Sequence, residues 1–344
     1  MSVRFHPFFF TPAANLLAGF FLFLGAFSSL PAQTISLNNT FQQWGFSRDT
    51  TPLASTARWK NQWSHITVEK NKPWVLLNNT RVWLNTPVTE NRGIFFLHQG
   101  DYAHTLQPIV APTPSANAPV VRRILLDPGH GGNDVGTQNT RLGMQEKTFA
   151  LDVARRVKFI LEQQGYQVLL TRGSDTFVEL EKRSLLSRQT QADLFISIHF
   201  NSAAPATGPN GIETFILTPP GHYSSNDAAR KASAAERNAV EPGHRFGAWN
   251  ALLGYYLQSS LVGKLDAEDR GLRRARFTVL RGLNCPGALV ECGFLSNPSE
   301  ATLIGKPAYR EKIAQGIVDG VLKYSRVVQQ LQQAATPNPP PRRS

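Results

Sequence analysis

Two histidines and two glutamates lie where predicted strands end or a predicted helix begins, and their residue types suit metal-assisted hydrolysis. They are His130, Glu146, His199 and Glu291. Two neutral imidazoles and one carboxylate, with a fourth position open to water, form a known donor set for catalytic zinc. A further glutamate outside that set suits a general base. The chemistry requires a fold that brings these four side chains together.

His130 follows a short apolar segment with the composition of a buried strand. The stretch Ile124 to Gly136 reads ILLDPGHGGNDVG, and its first residues suit a strand covered on both faces. The Pro-Gly pair before the histidine ends this strand. Gly131 and Gly132 have no side chains that would crowd the ring, so we expect a metal or substrate to approach His130 closely.

The other three side chains occupy comparable positions. Glu146 opens a segment with apolar residues at helical spacing, which places it in the first turn of an amphipathic helix. His199 ends the strand pattern in DLFISIHFNS, and Glu291 ends the one in ALVECGFLSN. Taken singly, each is most simply a polar loop residue or an acid favoured by the helix dipole. In an open α/β sheet, however, the carboxyl ends of parallel strands line one crevice, where we expect all four to converge.

Strand and helix patterns alternate along this part of the chain, which favours a mostly parallel sheet covered by helices. The predicted strands cover 121–126, 167–171, 194–199 and 211–217, and the predicted helices cover 146–164, 179–191 and 308–326. The fold class is therefore α/β.

These segments resemble the zinc-dependent N-acetylmuramoyl-L-alanine amidases, of the kind that splits bacterial septal peptidoglycan. In the family's order, the resemblance is carried by LLDPGHGGNDVG, Glu146-Lys147, LLTR at 169–172, ISIHFNS, GIETFIL at 211–217, RGLRRARFTVLRGLNCPGALVE at 270–291 and GFLSNPSE. It covers residues 122–327 and is specific, because seven segments match in order.

The resemblance implies zinc (Zn2+) held by His130, Glu146 and His199, with Glu291 as the catalytic glutamate. It also implies a phosphorylase/hydrolase-like amidase fold and cleavage of the amide between N-acetylmuramic acid and the L-alanine of the stem peptide. Zinc would polarise the carbonyl and lower the pKa of a water molecule, while Glu291 moves the proton to the leaving nitrogen. A zinc peptidase acting on the stem peptide and a non-catalytic cell-wall-binding protein are the alternatives.

The sequence departs from the family at two positions near the site. Phe200 stands where the family often has a small residue, so we expect it to narrow the groove. Cys292 follows the catalytic glutamate, and Cys285 precedes the same strand. A strand between two cysteines holds their α-carbons too far apart for a disulfide, which favours two buried or semi-buried thiols, although an exported protein permits a disulfide.

Residues 1–32 have the features of a secretory signal peptide. An almost unbroken apolar run covers Leu16 to Phe27, and Leu30-Pro31-Ala32 offers a small residue before Gln33. The run is too short for a comfortable membrane span, so we expect cleavage near Ala32, with an uncleaved anchor as the alternative. Either outcome places the working part outside the cytoplasm, in the periplasm or secreted.

Residues 33–112 differ in texture from the rest and contain five of the six tryptophans. A hairpin over 74–84 and further β-rich runs at 93–98 and 105–110 predict a small β-rich module. It resembles, weakly, the N-terminal domains of copper amine oxidases and modules that target wall enzymes. Its tryptophans are more typical of a core than of a sugar platform.

The remaining boundaries follow from composition. The proline-rich stretch 113–121 predicts a linker between semi-independent domains. The catalytic domain is predicted over 122–328, and residues 329–344 are predicted to be a disordered tail because of their prolines and paired arginines.

Residues 219–249 are the least predictable part of the catalytic domain. The stretch is polar and opens with Pro-Pro-Gly, which is typical of a solvated excursion. Its alanine-rich part, 228–240, has the composition of a helix. Such a helix would be able to cover the metal site as an autoinhibitory gate, with Glu236 or Glu241 as the blocking carboxylate. Few large apolar residues are available to dock it, so the excursion is the favoured interpretation.

The chain is strongly basic, with a formal net charge of +12. Arg270, Arg273, Arg274, Arg276 and Arg281 crowd one short stretch. No nucleic-acid recognition motif accompanies them and the signal peptide directs the chain away from the genome, so an anionic wall or membrane surface is the better partner. Peptidoglycan is the expected substrate, and an activating protein is a further partner to consider.

Overall fold

The computed structural model describes residues 34–49, 55–225 and 232–336. The predicted signal peptide lies outside these residues, as does half of the predicted tail, residues 337–344. Within the described ranges, no helix is both long and apolar enough to cross a membrane.

The described residues before position 111 form short strands and short helices. The strands are β1 (Thr34–Ser36), β2 (Ser47–Arg48), β3 (Thr56–Lys60), β4 (His65–Glu69), β5 (Trp74–Leu77), β6 (Thr80–Trp83), β7 (Thr89–Asn91) and β8 (Ile94–His98). The helices are α1 (Leu37–Gln43), α2 (Gln99–Asp101), a π-helical turn (Tyr102–Leu106) and α3 (Gln107–Val110). The predicted hairpin is confirmed as β5 and β6. Its turn uses Asn78 and Asn79 at φ of 49° and 66°, a left-handed backbone that asparagine tolerates.

The strand predicted at 105–110 is wrong, because this segment is helical. Leu106, Ile109 and Val110 are buried at helical spacing, and Pro108 is tolerated in the first turn of α3. The β-rich composition of six residues was a weaker signal than this periodicity.

The rest of the chain alternates strands and helices, as predicted. In order, its elements are β9 (Arg123–Pro128), β10 (Gln138–Asn139), β11 (Met144–Gln145), α4 (Glu146–Gln163), β12 (Gln167–Leu170), α5 (Leu180–Gln189), β13 (Leu194–Asn201), β14 (Ile212–Leu217), α6 (Ala234–Asn238), α7 (Gly247–Leu265), β15 (Asp269–Ala275), α8 (Thr278–Arg281), β16 (Gly287–Phe294), α9 (Pro298–Ile304) and α10 (Pro307–Ala335).

Most of these strands join one sheet of eleven described strands, in the order β12-β9-β13-β16-β14-β15-β6-β5-β4-β3-β2. Strands β12, β9, β13 and β16 are mutually parallel, and β14 is parallel to β15 but antiparallel to β16. One face packs on α4, α7 and α10, whose apolar residues form the main core. The predicted α/β class is confirmed, and the catalytic part of the sheet, from β12 to β15, is mostly parallel as predicted.

The sheet continues from the catalytic part into the N-terminal strands. Strand β6 pairs in parallel with β15 through Val82 and Leu272, both fully buried. Trp83 Nε1 donates a hydrogen bond to the Arg270 carbonyl at 2.7 Å, and Tyr255 of α7 donates to the carbonyl of Leu77 at 3.3 Å. Because the two parts share one sheet and one core, the structure corrects the expectation of semi-independent domains. The boundaries at 33–112 and 122–328 remain predictions.

The predicted linker and the start of the predicted tail are ordered against each other. Ser115 N–H donates to the Leu331 carbonyl at 3.1 Å, and Ala118 and Val121 are buried. Helix α10 extends to Ala335, so residues 329–335 of the predicted tail are helical. Packing of the proline-rich stretch on α10 supplies the tertiary contacts that composition does not reveal.

Residues 219–249 leave the sheet at the end of the strands that is opposite the four candidate site residues. Strand β14 is antiparallel to β16, with Glu213 opposite Glu291 and Phe215 opposite Leu289, so the end of β14 lies beside the start of β16. Helix α6 covers five residues of the alanine-rich part. Glu236 and Glu241 both line a surface cavity beside Leu217, at this far end of the strands. The described residues of the segment therefore do not cover the site, and the gate is overturned.

Candidate active site

Three of the predicted residues form a compact cluster at the carboxyl ends of β9 and β13. His130 Nε2 lies 3.1 Å from Glu146 Oε2, and His199 Nδ1 lies 2.9 Å from Glu146 Oε1. One donor atom from each of the three residues falls within 4.8 Å of the others. The two imidazole rings are nearly perpendicular, at 79° and 5.0 Å between centroids. Two nitrogens and one carboxylate therefore converge as a tetrahedral metal site with an open position requires.

Backbone groups hold the carboxylate of Glu146 in place. The amide of Thr137 donates to Oε2 at 2.8 Å, and the amide of Phe200 donates to Oε1 at 3.0 Å. Burial opposes ionisation, but hydrogen bonds from His130 and His199 outweigh it and lower the pKa of Glu146. A buried, ionised carboxylate flanked by two imidazoles is a suitable environment for a cation.

The loop after β9 presents the His130 ring through a left-handed backbone. His130 has φ of 59°, which is uncommon for a residue with a side chain. Its Nδ1 lies 2.9 Å from Asp134 Oδ2. An Nδ1–H that donates to this carboxylate leaves a lone pair on Nε2, which faces Glu146. Although burial opposes protonation, Glu146 and then Asp134 raise the pKa of His130.

Glycines make room at this site, but not the ones predicted. A Cβ at Gly131 would lie 2.2 Å from the Thr176 carbonyl oxygen, and one at Gly132 would meet the backbone of Phe177. These two glycines therefore admit the neighbouring loop, not a metal. The close approach at the site occurs at Gly129, where a Cβ would lie 2.3 Å from the His199 ring, and at Gly136, which faces Glu146 and His130.

Two buried arginines brace the loop, and sequence reasoning assigned a role to neither. Arg183 donates to Asp127 Oδ1 and to the carbonyls of Pro128 and His130, all at 2.8 to 2.9 Å. Arg172 donates to the carbonyls of Pro128 and Gly129 at 2.9 and 2.7 Å. Arg172 was visible in the LLTR motif, whereas Arg183 had no sequence signal beyond lying on a helix. Planar guanidinium groups suit this work because each donates several hydrogen bonds in fixed directions.

Glu291 lies beside the cluster on the adjacent strand. In the parallel pairing of β13 and β16 it is the register partner of His199, so both side chains emerge on the same face of the sheet. Its Oε2 is sealed from solvent and has no hydrogen-bond partner among the described residues. Burial, followed by the nearby carboxylates of Glu146 and Glu213, raises the pKa of Glu291 well above its usual range.

The orphaned oxygen and the excess of carboxylates show that the site fits a metal cation. The carboxylate of Glu146 raises the pKa of the buried Glu291, whose Oε2 has no hydrogen-bond partner among the described residues, and a divalent cation with its water would stabilise this arrangement. Two imidazoles with one carboxylate suit zinc better than calcium or magnesium, which prefer oxygen ligands.

The expectations for Phe200 and the cysteines have different outcomes. Phe200 is 1% exposed and packs against Phe149 of α4, with ring centroids 6.2 Å apart. It points away from His199 into the core, since neighbouring strand residues face opposite sides, so it does not narrow the groove. Cys285 and Cys292 are free and buried, as favoured. Burial raises the pKa of both thiols, which makes them poor nucleophiles.

The basic stretch is not one free cationic surface. Arg274 is buried and donates to the His104 carbonyl at 2.6 Å. Arg276 donates to the His222 carbonyl at 2.6 Å, at the end of the strands opposite the candidate site. Only Arg270 and Arg273 lie near the candidate site, where both contact Glu213.

The chain matches known proteins over this same region. Residues 124–323 match the family model described as N-acetylmuramoyl-L-alanine amidase. The germination-specific N-acetylmuramoyl-L-alanine amidase of Bacillus subtilis is 36% identical over 216 residues, which are 58% of this chain and 78% of that protein. The probable cell wall amidase LytH of Staphylococcus saprophyticus is 30% identical over 261 residues, 75% of this chain and 76% of that protein.

Other relatives match a smaller share of their length. The N-acetylmuramoyl-L-alanine amidase AmiC of Neisseria meningitidis is 37% identical over 220 residues, but the match covers 58% of this chain and only 52% of that protein.

Among solved structures, an N-acetylmuramoyl-L-alanine amidase from Clostridium difficile 630 is 33% identical to this chain. The match covers 60% of this chain and 97% of that one, with a TM-score of 0.49.

Proposed function

Since the chain belongs to the N-acetylmuramoyl-L-alanine amidase family, we propose that it is a zinc-dependent hydrolase of peptidoglycan. The proposed reaction cleaves the amide between N-acetylmuramic acid and the L-alanine of the stem peptide. The observation that carries the proposal is the convergence of His130, Glu146 and His199, with Glu291 one strand away. Family membership supports the choice of bond, and the geometry of the cluster supports the choice of residues.

We assign the metal ligands and the base as follows. His130, Glu146 and His199 would hold zinc, with Asp134 orienting His130 and two backbone amides orienting Glu146. When bound, zinc would supply Lewis-acid polarisation of the scissile carbonyl and a water of lowered pKa.

Glu291 would move the proton. Its Oε2 has no hydrogen-bond partner among the described residues and the residue lies opposite His199, so we assign it to accept a proton from the attacking water and pass it to the leaving nitrogen. Its position on the central strand β16, between β13 and β14, fixes the carboxylate relative to His199. A base held by a rigid strand keeps the geometry that proton transfer requires.

The proposed compartment follows from the substrate. Peptidoglycan lies outside the cytoplasm, and one relative is named a probable cell wall amidase. We therefore propose export through the N-terminal signal peptide, to the periplasm or the medium, with peptidoglycan as the partner of the exported enzyme.

Digestion of purified peptidoglycan by the full chain, followed by mass analysis of the soluble products, tests the function. Free stem peptides with an N-terminal L-alanine are expected. Trimmed peptides still attached to the glycan would indicate a zinc peptidase instead. A chain that binds peptidoglycan and releases nothing, with zinc present, would indicate a wall-binding protein.

A further inference from the structure

The face of the sheet that displays the candidate active site continues beyond it. Glu213 of β14 is the register partner of Glu291, and it pairs on its other side with Gly271 of β15. The flanking residue Thr214 bonds to Gln258 of α7, so Glu213 points to the opposite side, as Glu291 does. The active-site face therefore extends onto β15.

Strand β6 carries this face into the N-terminal part. Val82 and Leu272 are paired and buried on the helix side. Arg273, Arg81 and Trp83 flank these residues and so emerge on the active-site face. Trp83 is in turn the register partner of Trp74 on β5. We call the residues Arg270, Arg273, Arg81, Trp83 and Trp74 the arginine–tryptophan row.

The guanidinium groups of the row keep hydrogen-bonding capacity that the described residues do not fill. Arg270 and Arg273 both form ion pairs with the single carboxylate of Glu213, the latter at 3.2 Å. Arg81 forms no ion pair among the described residues, and its Nε is buried without a hydrogen-bond partner. Burial lowers the pKa of Arg273, and the positive charges of Arg270 and Arg81 lower it further in spite of Glu213. Among the described residues only Glu213 forms ion pairs with the row, while Asp269 and Glu300 act on Arg81 and Arg270 by charge alone.

The tryptophans hold these guanidinium groups in fixed orientations. The guanidinium carbon of Arg273 lies 4.5 Å from the centre of the Trp83 ring, and that of Arg81 lies 5.4 Å from the centre of Trp74. Arg270 lies 4.9 Å over Phe294, which follows Glu291 on β16. Stacking occupies the flat faces of the guanidinium groups and leaves their N–H edges for planar acceptors such as carboxylates.

We propose that the arginine–tryptophan row is a substrate-binding surface that engages carboxylates of the peptidoglycan stem peptide. This deepens the proposed function, on which it rests, and it gives the N-terminal strands a part in substrate recognition. Charge complementarity selects the occupant, because stem peptides carry several free carboxylates along a flexible chain. Continuity with Glu291 selects the place, because a peptide whose first amide lies at Glu291 reaches the row along the same face.

Kinetics on a matched pair of substrates test this proposal. One soluble muropeptide keeps its free stem carboxylates, and the other has them converted to amides. With the zinc-loaded full chain we expect a KM about tenfold lower for the acidic substrate, equivalent to about 1.4 kcal/mol of binding. Arg273→Gln and Arg81→Gln should each raise KM for the acidic substrate, leave KM for the amidated one nearly unchanged and leave kcat nearly unchanged.

Two further variants separate binding from packing. Arg273→Lys keeps the charge but loses the fork, so it should recover part of the affinity. Arg326→Gln removes the same charge from the exposed surface of α10 and should change neither KM. Equal loss on both substrates in the Arg273 and Arg81 variants would assign those residues to structure and overturn the proposal.

A binding measurement distinguishes failure of this proposal from failure of the proposed function. The Glu291→Gln chain is titrated calorimetrically with the free acidic stem tripeptide and with its amidated form, so no turnover is needed. Preferential binding of the acidic peptide that Arg81→Gln abolishes is the expected result, whatever bond the enzyme cleaves. Indistinguishable binding of the two peptides would refute the row as a carboxylate site.

Discussion

His199 and Glu291 are register partners on adjacent parallel strands, so the sheet itself sets the separation between a proposed zinc ligand and the proposed base. Strand β13 supplies the ligand and β16 supplies the base, and both strands have neighbours on each side in the sheet. No loop movement is needed to assemble this pair. Substitution at Glu291 therefore tests the chemistry without disturbing the ligands.

Glu291→Gln should abolish turnover and spare the metal. Glutamine has the same shape but cannot accept a proton, so we expect turnover to fall by at least about a hundredfold, the usual order for a general base. Zinc content, measured by atomic emission on the purified chain, should equal that of the wild type. Retained activity would mean that another group accepts the proton.

Replacement of either histidine should remove the metal. His130→Ala or His199→Ala leaves two ligands, which hold zinc poorly, so both zinc content and activity should be lost. Asp134→Asn keeps all three ligands and removes only the carboxylate that orients His130, so its zinc affinity should fall by about 10- to 100-fold. Full zinc occupancy in His130→Ala or His199→Ala would refute the ligand assignment.

The clustering of His130, Glu146 and His199 was predictable because its signals are local. An apolar run that ends at His130 or His199 predicts a strand end, and parallel strands place those ends together. The bracing by Arg183 was not predictable, since its partners, the Asp127 carboxylate and the carbonyl of Pro128, are more than fifty positions away. Long-range hydrogen bonds leave no periodic trace in the sequence.

The direction of one strand explains why residues 219–249 do not form the autoinhibitory gate that was considered for them. The composition of β14 does not reveal that it is antiparallel to β16. Because of this direction, the following segment lies at the end of the strands opposite the candidate site. The joining of the N-terminal strands was hidden for a similar reason. The two parts are joined where β6 pairs with β15, and composition does not reveal this pairing. The proline-rich stretch 113–121 instead suggested two separate domains.

Removal of the N-terminal part should destabilise the catalytic part. A fragment covering 113–344 would expose the edge of β15 and the side of α7 where Tyr255, 8% exposed in the full chain, contacts β5. Exposed apolar surface and an unpaired strand favour aggregation and lower the free energy of unfolding. Thermal unfolding of the fragment and the full chain, with a dye that binds apolar surface, measures the effect.

An equally stable fragment with unchanged dye binding would show that the two parts are independent after all. The control is a chain truncated after Thr336, which removes only residues that follow α10 and should unfold at the wild-type temperature.

Phe200→Ala should cost stability and not alter substrate selection. Phe200 is fully enclosed beside Phe149, and truncation of a buried phenylalanine typically costs about 3 to 5 kcal/mol. The Phe200 amide, which donates to Glu146, is retained in the variant. Chemical denaturation should show the loss, while KM for a soluble muropeptide stays within about twofold of the wild type, a difference of about 0.4 kcal/mol. A large fall in KM without loss of stability would restore the narrowed groove.

Two neighbouring histidines far from the metal cluster, the exposed His104 and the buried His222, should make stability depend on pH. The rings of His104 and His222 meet edge to face at 5.3 Å, and burial, together with the nearby Arg274, lowers the pKa of both. The pKa of each histidine in the folded chain lies below the unfolded value of about 6.5. As the pH falls, the unfolded chain therefore binds more protons at these residues than the folded chain does. Their contribution is therefore complete above about pH 6.5 and is lost progressively below it.

Unfolding temperatures at pH 7.5 and 5.5, measured with excess chelator so that metal release does not contribute, test this expectation. The wild type should unfold at a lower temperature at pH 5.5. His222→Asn removes one of the two groups, so its drop between the two pH values should be smaller by about 2 °C or more, as expected for a change of about 1 kcal/mol. His65→Asn, at the start of β4 beside Asn79 of the hairpin turn, is the matched control and should keep the wild-type drop. A drop in His222→Asn as large as that of the wild type would show that His222 is not the group responsible.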